Sequence, residues 1–192
     1  MSTTKSNISQ WKKLLNGDLT EDTQLQAVND FFNNVAVSAN DLETWSQTDY
    51  WTTPLELIKV GAGDCEDFAF AKYVTLRLLG VPDSKLRLTY VRALLTTGIS
   101  SHMVLTYENL SGVVVLDNLI NEIQFIDRRP DLIPVYTFNE GGLYLPSVKG
   151  ELHTSDTKNM SRWQDVLGKL SKEGYEFPEL TEPQPEPLES AP

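Results

Sequence analysis

From Cys65 to Leu79 the chain reads CEDFAFAKYVTLRLL, and after its acidic first turn the apolar residues leave almost no side of a helix free. Phe68, Ala69, Phe70, Ala71, Val74, Leu76, Leu78 and Leu79 cannot all be buried from one direction, so the helix must lie centrally, with other elements around it. Gly80 just past its end and Pro82 beyond supply the stop signal. A single helix of this kind dictates that the remaining elements form layers about it.

Downstream of this helix the hydrophobic period changes. LRLTYVRALL (86–95), HMVLTYE (102–108) and VVVLDNL (113–119) are rich in β-branched and aromatic residues, and NLSG (109–112) reads as a turn between the last two. These predict at least three antiparallel strands packed on the buried helix, an α+β layout. Upstream, Leu25, Val28, Phe31, Phe32 and Val35 recur at helical spacing behind acids in the first turn, which predicts an amphipathic helix over 21–37. Pro54 marks an entry into the next segment, and Gly61 and Gly63 mark a turn. RRPDLIPVYTFNEGGLYLP reads as turns mixed with short extended pieces, and a last amphipathic helix is predicted near Ser161–Ser171. We divide the chain into an N-terminal extension (1–20), one folded domain (21–177) and a disordered acidic, proline-containing tail (178–192).

At 192 residues the chain suffices for one good core, and 40% hydrophobic with 22% charged residues is ordinary for a globular protein. A net charge of -11 argues against nucleic acid as a partner and against an anionic membrane surface, while it suits cations. No apolar run has the length of a membrane-spanning helix, so direct membrane insertion is not expected. The start, MSTTKSNISQWKK, lacks the apolar stretch of a signal peptide. That leaves a cytoplasmic protein or a chain beginning after a removed signal. A single cysteine excludes an intramolecular disulfide and leaves the redox compartment open.

That cysteine, Cys65, has Asp64 before it and Glu66 and Asp67 after it. At a helix start the macrodipole favours a thiolate, whereas three neighbouring carboxylates oppose one. A nucleophile would also need a base and a group to orient that base. If the NLSG turn pairs Glu108 with Val113, Val104 falls opposite Asp117. His102 then shares a face with Asp117 as a diagonal neighbour, roughly 7–8 Å away at Cα. A one-residue slip would separate them. The other histidine, His153, lies in a polar segment without strand pattern and reads as a solvated loop residue. A small buried cysteine with no chemical role is the competing interpretation. The carboxylates have two readings as well. They could hold a hard cation such as Ca²⁺, which would cancel the field around Cys65, or they could simply complement the helix dipole.

The runs DYWTTPLELIKVGAGDCEDFAFAKY, SSHMVLTY and VVVLDNL resemble the bacterial transglutaminase-like cysteine proteinases, and the similarity runs from VNDFFNN through RRPDLIPVYTFNEGGLYLP. The resemblance implies a papain-like α+β core with the nucleophile at the start of a central helix packed on an antiparallel sheet. It implies a triad of Cys65, His102 and Asp117, and a calcium requirement met by Asp64, Glu66 and Asp67. The narrower likeness is to periplasmic members that cut a large repeat adhesin near its N-terminus, at a pair of alanines. Such cleavage releases the adhesin and disperses biofilm. An inner-membrane receptor that senses cyclic di-GMP sequesters these proteases when the nucleotide is abundant. Proteins of that kind carry a signal sequence, and a chain starting at the mature region reconciles its absence here.

Within such a mechanism the Cys65 backbone N–H is a natural oxyanion donor, and the DYW segment, with Trp51, is the expected source of a second. Two rivals remain: an acyltransferase using the same triad, and a calcium-dependent binding module whose cysteine is inert.

Overall fold

The computed structural model describes residues 2–147 and 150–178. Its first half is helical: α1 (Ser2–Leu15), α2 (Glu21–Val35), the short β1 (Val37–Ser38), α3 (Asp41–Trp45), α4 (Pro54–Val60), β2 (Ala62–Gly63) and α5 (Cys65–Leu78). The second half is mostly strands: β3 (Leu86–Leu95), β4 (Gly98–Asn109), β5 (Gly112–Leu116), β6 (Gln124–Phe125), β7 (Leu132–Asn139), β8 (Gly142–Ser147) and β9 (Gly150–Ser155), before a final α6 (Ser161–Lys172). Among the described residues, β3–β9 form one antiparallel sheet in the order β6-β5-β4-β3-β7-β8-β9, and β1 and β2 form a small parallel pair. The fold is α+β, with the central helix packed on a large antiparallel sheet as in papain-like and transglutaminase-like proteins. The tail over residues 179–192 lies outside the described residues.

α5 is surrounded, as its sequence demands. Phe70, Ala71, Tyr73, Val74 and Leu76 are all fully buried. Trp163, brought in by α6, meets Phe70 and Tyr73 of α5 and Phe138 of β7 edge to face, and Val166 and Leu170 lie on the same face of α6. Truncating one of these rings to alanine costs about 3–5 kcal/mol in comparable cores. Gly80, at φ +92°, ends the helix, and the Val81 N–H returns to the Leu76 carbonyl. The segment read as an N-terminal extension is helix α1, whose buried Trp11 donates to Thr75 Oγ1 of α5 at 3.0 Å.

Beyond residue 130 the strands are longer than expected. β7 pairs with β3 along most of its length, with an irregularity at Tyr90/Val91 where Pro134, which has no N–H to donate, faces Val91. His153, expected in a loop, has its backbone in β9 opposite Tyr144.

Candidate active site

The N-terminus of α5 is set by two glycines in the turn before it. Gly61 ends α4 at φ +72°, in the left-handed region. Gly63 then passes so near α5 that a Cβ there would meet Asp67 Oδ2 at 2.5 Å and Leu57 Cδ1 at 2.8 Å, so no side chain fits. Cys65 is thereby presented at the helix start, beside β4.

Across from it, the β4–β5 turn sets the register expected from sequence: Glu108 faces Val113 and Leu105 faces Leu116. One residue further, Asp117 leaves the strand and its Oδ1 meets His102 Nε2 at 2.8 Å, with both side chains buried. The same Oδ1 accepts the Leu119 N–H at 3.0 Å, and Oδ2 accepts Arg129 Nη2 at 2.8 Å. Arg129 is itself held by Asp131 (Nε to Oδ1 2.9 Å, Nη2 to Oδ2 2.8 Å). Burial works against ionisation of Asp117, but hydrogen bonds and charge from His102, the Leu119 N–H and Arg129 prevail and bring it down to about 2. Asn33 of α2 fixes the loop by donating to the Asp117 carbonyl at 2.8 Å.

The helix side has the opposite character. Asp41, Asp64 and Glu66 place carboxylate oxygens within 4.8 Å of one another. Burial, then Glu66, Asp67 and Asp41, push the Asp64 carboxyl far above the usual range. Asp41 is raised too, chiefly by burial. Burial, Glu66 and Asp64 likewise push the Cys65 thiol up, against a hydrogen bond from the Met103 backbone N–H, and the thiol donates to Glu66 Oε2 at 3.1 Å. One oxygen of Asp41 and one of Asp64 are buried with no hydrogen-bond partner among the described residues. Orphaned hard oxygens converging on one point fit a divalent cation such as calcium, which would be held by Asp41, Asp64 and Glu66.

Asp67, expected in that set, points elsewhere. It accepts the Thr52 N–H at 2.7 Å and the Asp64 N–H at 3.1 Å, tying the α4–α5 turn together, and burial raises its carboxyl to about 7. Asp41 takes its place in the carboxylate cluster. Trp51 is nearly buried on Phe70 and Phe138, and lines the cavity that holds Cys65 and His102. Its carbonyl is tied to Lys169 Nζ.

Comparison with known proteins bears on what this constellation is. The profile of the bacterial transglutaminase-like cysteine proteinases (BTLCP) matches residues 5–131, the span that contains Cys65, His102, Asp117 and Arg129. The chain belongs to this family. Three solved structures of Legionella pneumophila LapG are similar to this proteinase. The first is 38% identical, covers 87% of this chain and 89% of its own, and superposes with a TM-score of 0.73. An EGTA-treated form is 37% identical over 87% of this chain and 89% of its own, at TM-score 0.75. A calcium-bound form is 36% identical over 88% of this chain and 91% of its own, at 0.74. No curated protein sequence matches the chain significantly.

Family membership makes this chain a cysteine proteinase. Sequence reasoning missed Arg129, Asp131 and Asp41. Nothing in the spacing of RRPD or NDLE distinguishes a buried ionic partner from a surface charge.

Proposed function

We propose that the chain is a calcium-dependent cysteine endopeptidase with Cys65 as nucleophile, His102 as base and Asp117 as the group that orients and charges the base. The observation that carries this reading is the buried His102–Asp117 pair at 2.8 Å, opening into the same cavity as the only cysteine. Because Nε2 is engaged by Asp117, Nδ1 is the nitrogen left to accept the Cys65 proton. The thiolate adds to the scissile carbonyl carbon, and the Cys65 backbone N–H, at the start of α5, faces the developing oxyanion, with the Trp51 segment as second donor. The tetrahedral adduct collapses to a thioester as His102 returns its proton to the leaving amine. Water, deprotonated by His102, then hydrolyses the thioester and restores the thiol.

In the structure the thiol donates to Glu66. Asp41, Asp64 and Glu66 would hold the cation, which would supply charge neutralisation and rigidity at this turn. The calcium-bound form of the similar LapG supports calcium as the ion.

For the substrate we propose a large repeat adhesin of the cell surface, cut near its N-terminus at a di-alanine site, with release of the adhesin and dispersal of biofilm as the outcome. The chain would work in the periplasm and be sequestered there by an inner-membrane receptor that senses cyclic di-GMP. The likeness to LapG supports this reading. Among the described residues no helix is long and apolar enough to cross a membrane.

The test is product analysis on a purified N-terminal adhesin fragment containing the di-alanine site. Two smaller fragments are expected with calcium, and none with chelator or with Cys65→Ser. Crosslinked products would mean acyl transfer, and an intact fragment under all conditions would sink the reading.

A further inference from the structure

β4 outruns the strand beside it. Its pairing with β3 extends from Gly98 to Tyr107, whereas β5 pairs only with Leu105–Asn109. Among the described residues, Gly98–Val104 therefore has a strand neighbour on one side alone. In an antiparallel ladder, alternate residues turn their N–H and C=O to opposite sides. The two-residue turn between Leu95 and Gly98 directs Gly98, Ser100 and His102 to β3, and the two-residue turn between Asn109 and Gly112 directs Asn109, Tyr107 and Leu105 to β5. Both counts leave Ile99, Ser101 and Met103 addressing the open side. Met103, the next residue of that parity, lines the same cavity as Cys65.

Ile99 and Ser101 are exposed, and among the described residues the Ser101 carbonyl has only the Ser100 hydroxyl on it, at 3.2 Å. Edge strands are normally guarded by lysine, proline or a bulge. GISSHMV carries no such residue, and its pairing with β3 is regular throughout. The edge also divides the cleft. Tyr90, Ser101, Met103 and Tyr136 line a cavity on its α5 side, of about 630 Å³. Ala93, Leu95, Ser100 and Leu119 line a second, of about 450 Å³, on the other. Cys65 and His102 border both.

We propose that the substrate polypeptide binds as an extended strand added to the open edge of β4, paired through Ile99 and Ser101. Cys65 borders the cavities on both sides of this edge, so an added strand delivers its backbone to the thiol. Its alternate side chains enter the two cavities. The second cavity offers Leu95 and Leu119 with Glu43 and Asp64 and, among the described residues, no lysine or arginine, so it takes apolar or cationic side chains and rejects acidic ones. This proposal rests on the peptidase reading of the same site.

The experiment uses the isotopically labelled Cys65→Ala protein with calcium and a decapeptide centred on Ala-Ala, followed by amide hydrogen exchange; cleavage of the same peptide by the native protein is measured alongside. Exchange at Ile99 and Ser101 should slow about tenfold or more, while Gly98, Ser100 and His102, already bonded to β3, change little. Protection without cleavage overturns the peptidase reading and leaves the edge. Cleavage without protection overturns the edge and leaves the peptidase. Neither effect overturns both. As a second arm, Ser101→Pro removes only an outward N–H, which an edge strand tolerates, and should lower kcat/KM about tenfold or more. Undiminished cleavage by that variant would also overturn the proposal.

Discussion

On the sheet side of the cleft each charge has its complement, whereas on the helix side like charges face one another. Asp117 is wrapped by His102, a backbone N–H and Arg129, and is held at about 2 despite its burial. Across the cleft, Asp41, Asp64 and Glu66 converge with two oxygens unpartnered among the described residues, and the exposed Arg162 offsets Asp41 only in part, being paired with Asp49. The two sides differ in completeness. One is finished by folding alone, and the other leaves a negative pocket that burial makes unfavourable until a positive ion enters it. A protease divided in this way can be assembled in full and yet remain dependent on an external ion.

The largest effect tests the finished side. His102→Ala and Asp117→Ala should each lower kcat/KM by about 10³–10⁴-fold with the fold retained, by analogy with other triads. A full rate in Asp117→Ala, measured on the adhesin fragment, would remove that residue from the catalytic set. Next comes the partner behind it. Arg129→Met leaves Asp117 and Asp131 buried or half-buried without their cation, and should cost about 3–5 kcal/mol in denaturant unfolding. A loss below about 1 kcal/mol would mean that Arg129 is no more than a surface ion pair.

The unfinished side is probed by calcium itself. At a hundredfold excess over Kd, calcium should stabilise the protein by about 2.7 kcal/mol, and Asp41→Asn or Asp64→Asn should abolish the gain. Alkylation of Cys65 at neutral pH should quicken with calcium and slow with chelator, because Glu66 and Asp64 both push the thiol up. Equal midpoints and equal labelling in both conditions would break the contrast between the two sides.

The smallest effect is a pH dependence confined to the sheet side. The Asp117 carboxyl sits at about 2 in the folded chain against an ordinary 3.8, so it stabilises the fold above pH 4. That contribution, about 2 kcal/mol, should fade as pH falls from 4 towards 2. The native-minus-Asp117→Asn difference in unfolding free energy isolates it from other carboxylates, and a flat difference across that range would contradict the assigned pairing.

Much of this was legible in the sequence because it depended on periodicity and turns. The centrality of α5 follows from apolar residues on every side of one helix, and the His102–Asp117 contact follows from a two-residue turn and strict alternation. Those are local rules, and local rules survive in a linear reading. β7 and β8 were read as fragments because Pro134, Pro146 and the Gly141–Gly142 pair interrupt their alternation, and only the neighbouring strands restore it.

The sequence by itself determined a buried helix with a cysteine at its start, strands that carry histidine and aspartate on one face, and an excess of acid around the thiol. Tertiary structure alone decided which acids converge. Asp67, two residues from Cys65, turns back to the Thr52 and Asp64 amides, while Asp41, far away in the chain, completes the carboxylate cluster. The same holds for Arg129, which reaches Asp117 because the segment leading into β7 folds across the sheet. A charge's partner is chosen by distance in space within a low-dielectric interior, and that distance has no counterpart in sequence spacing once the chain has turned.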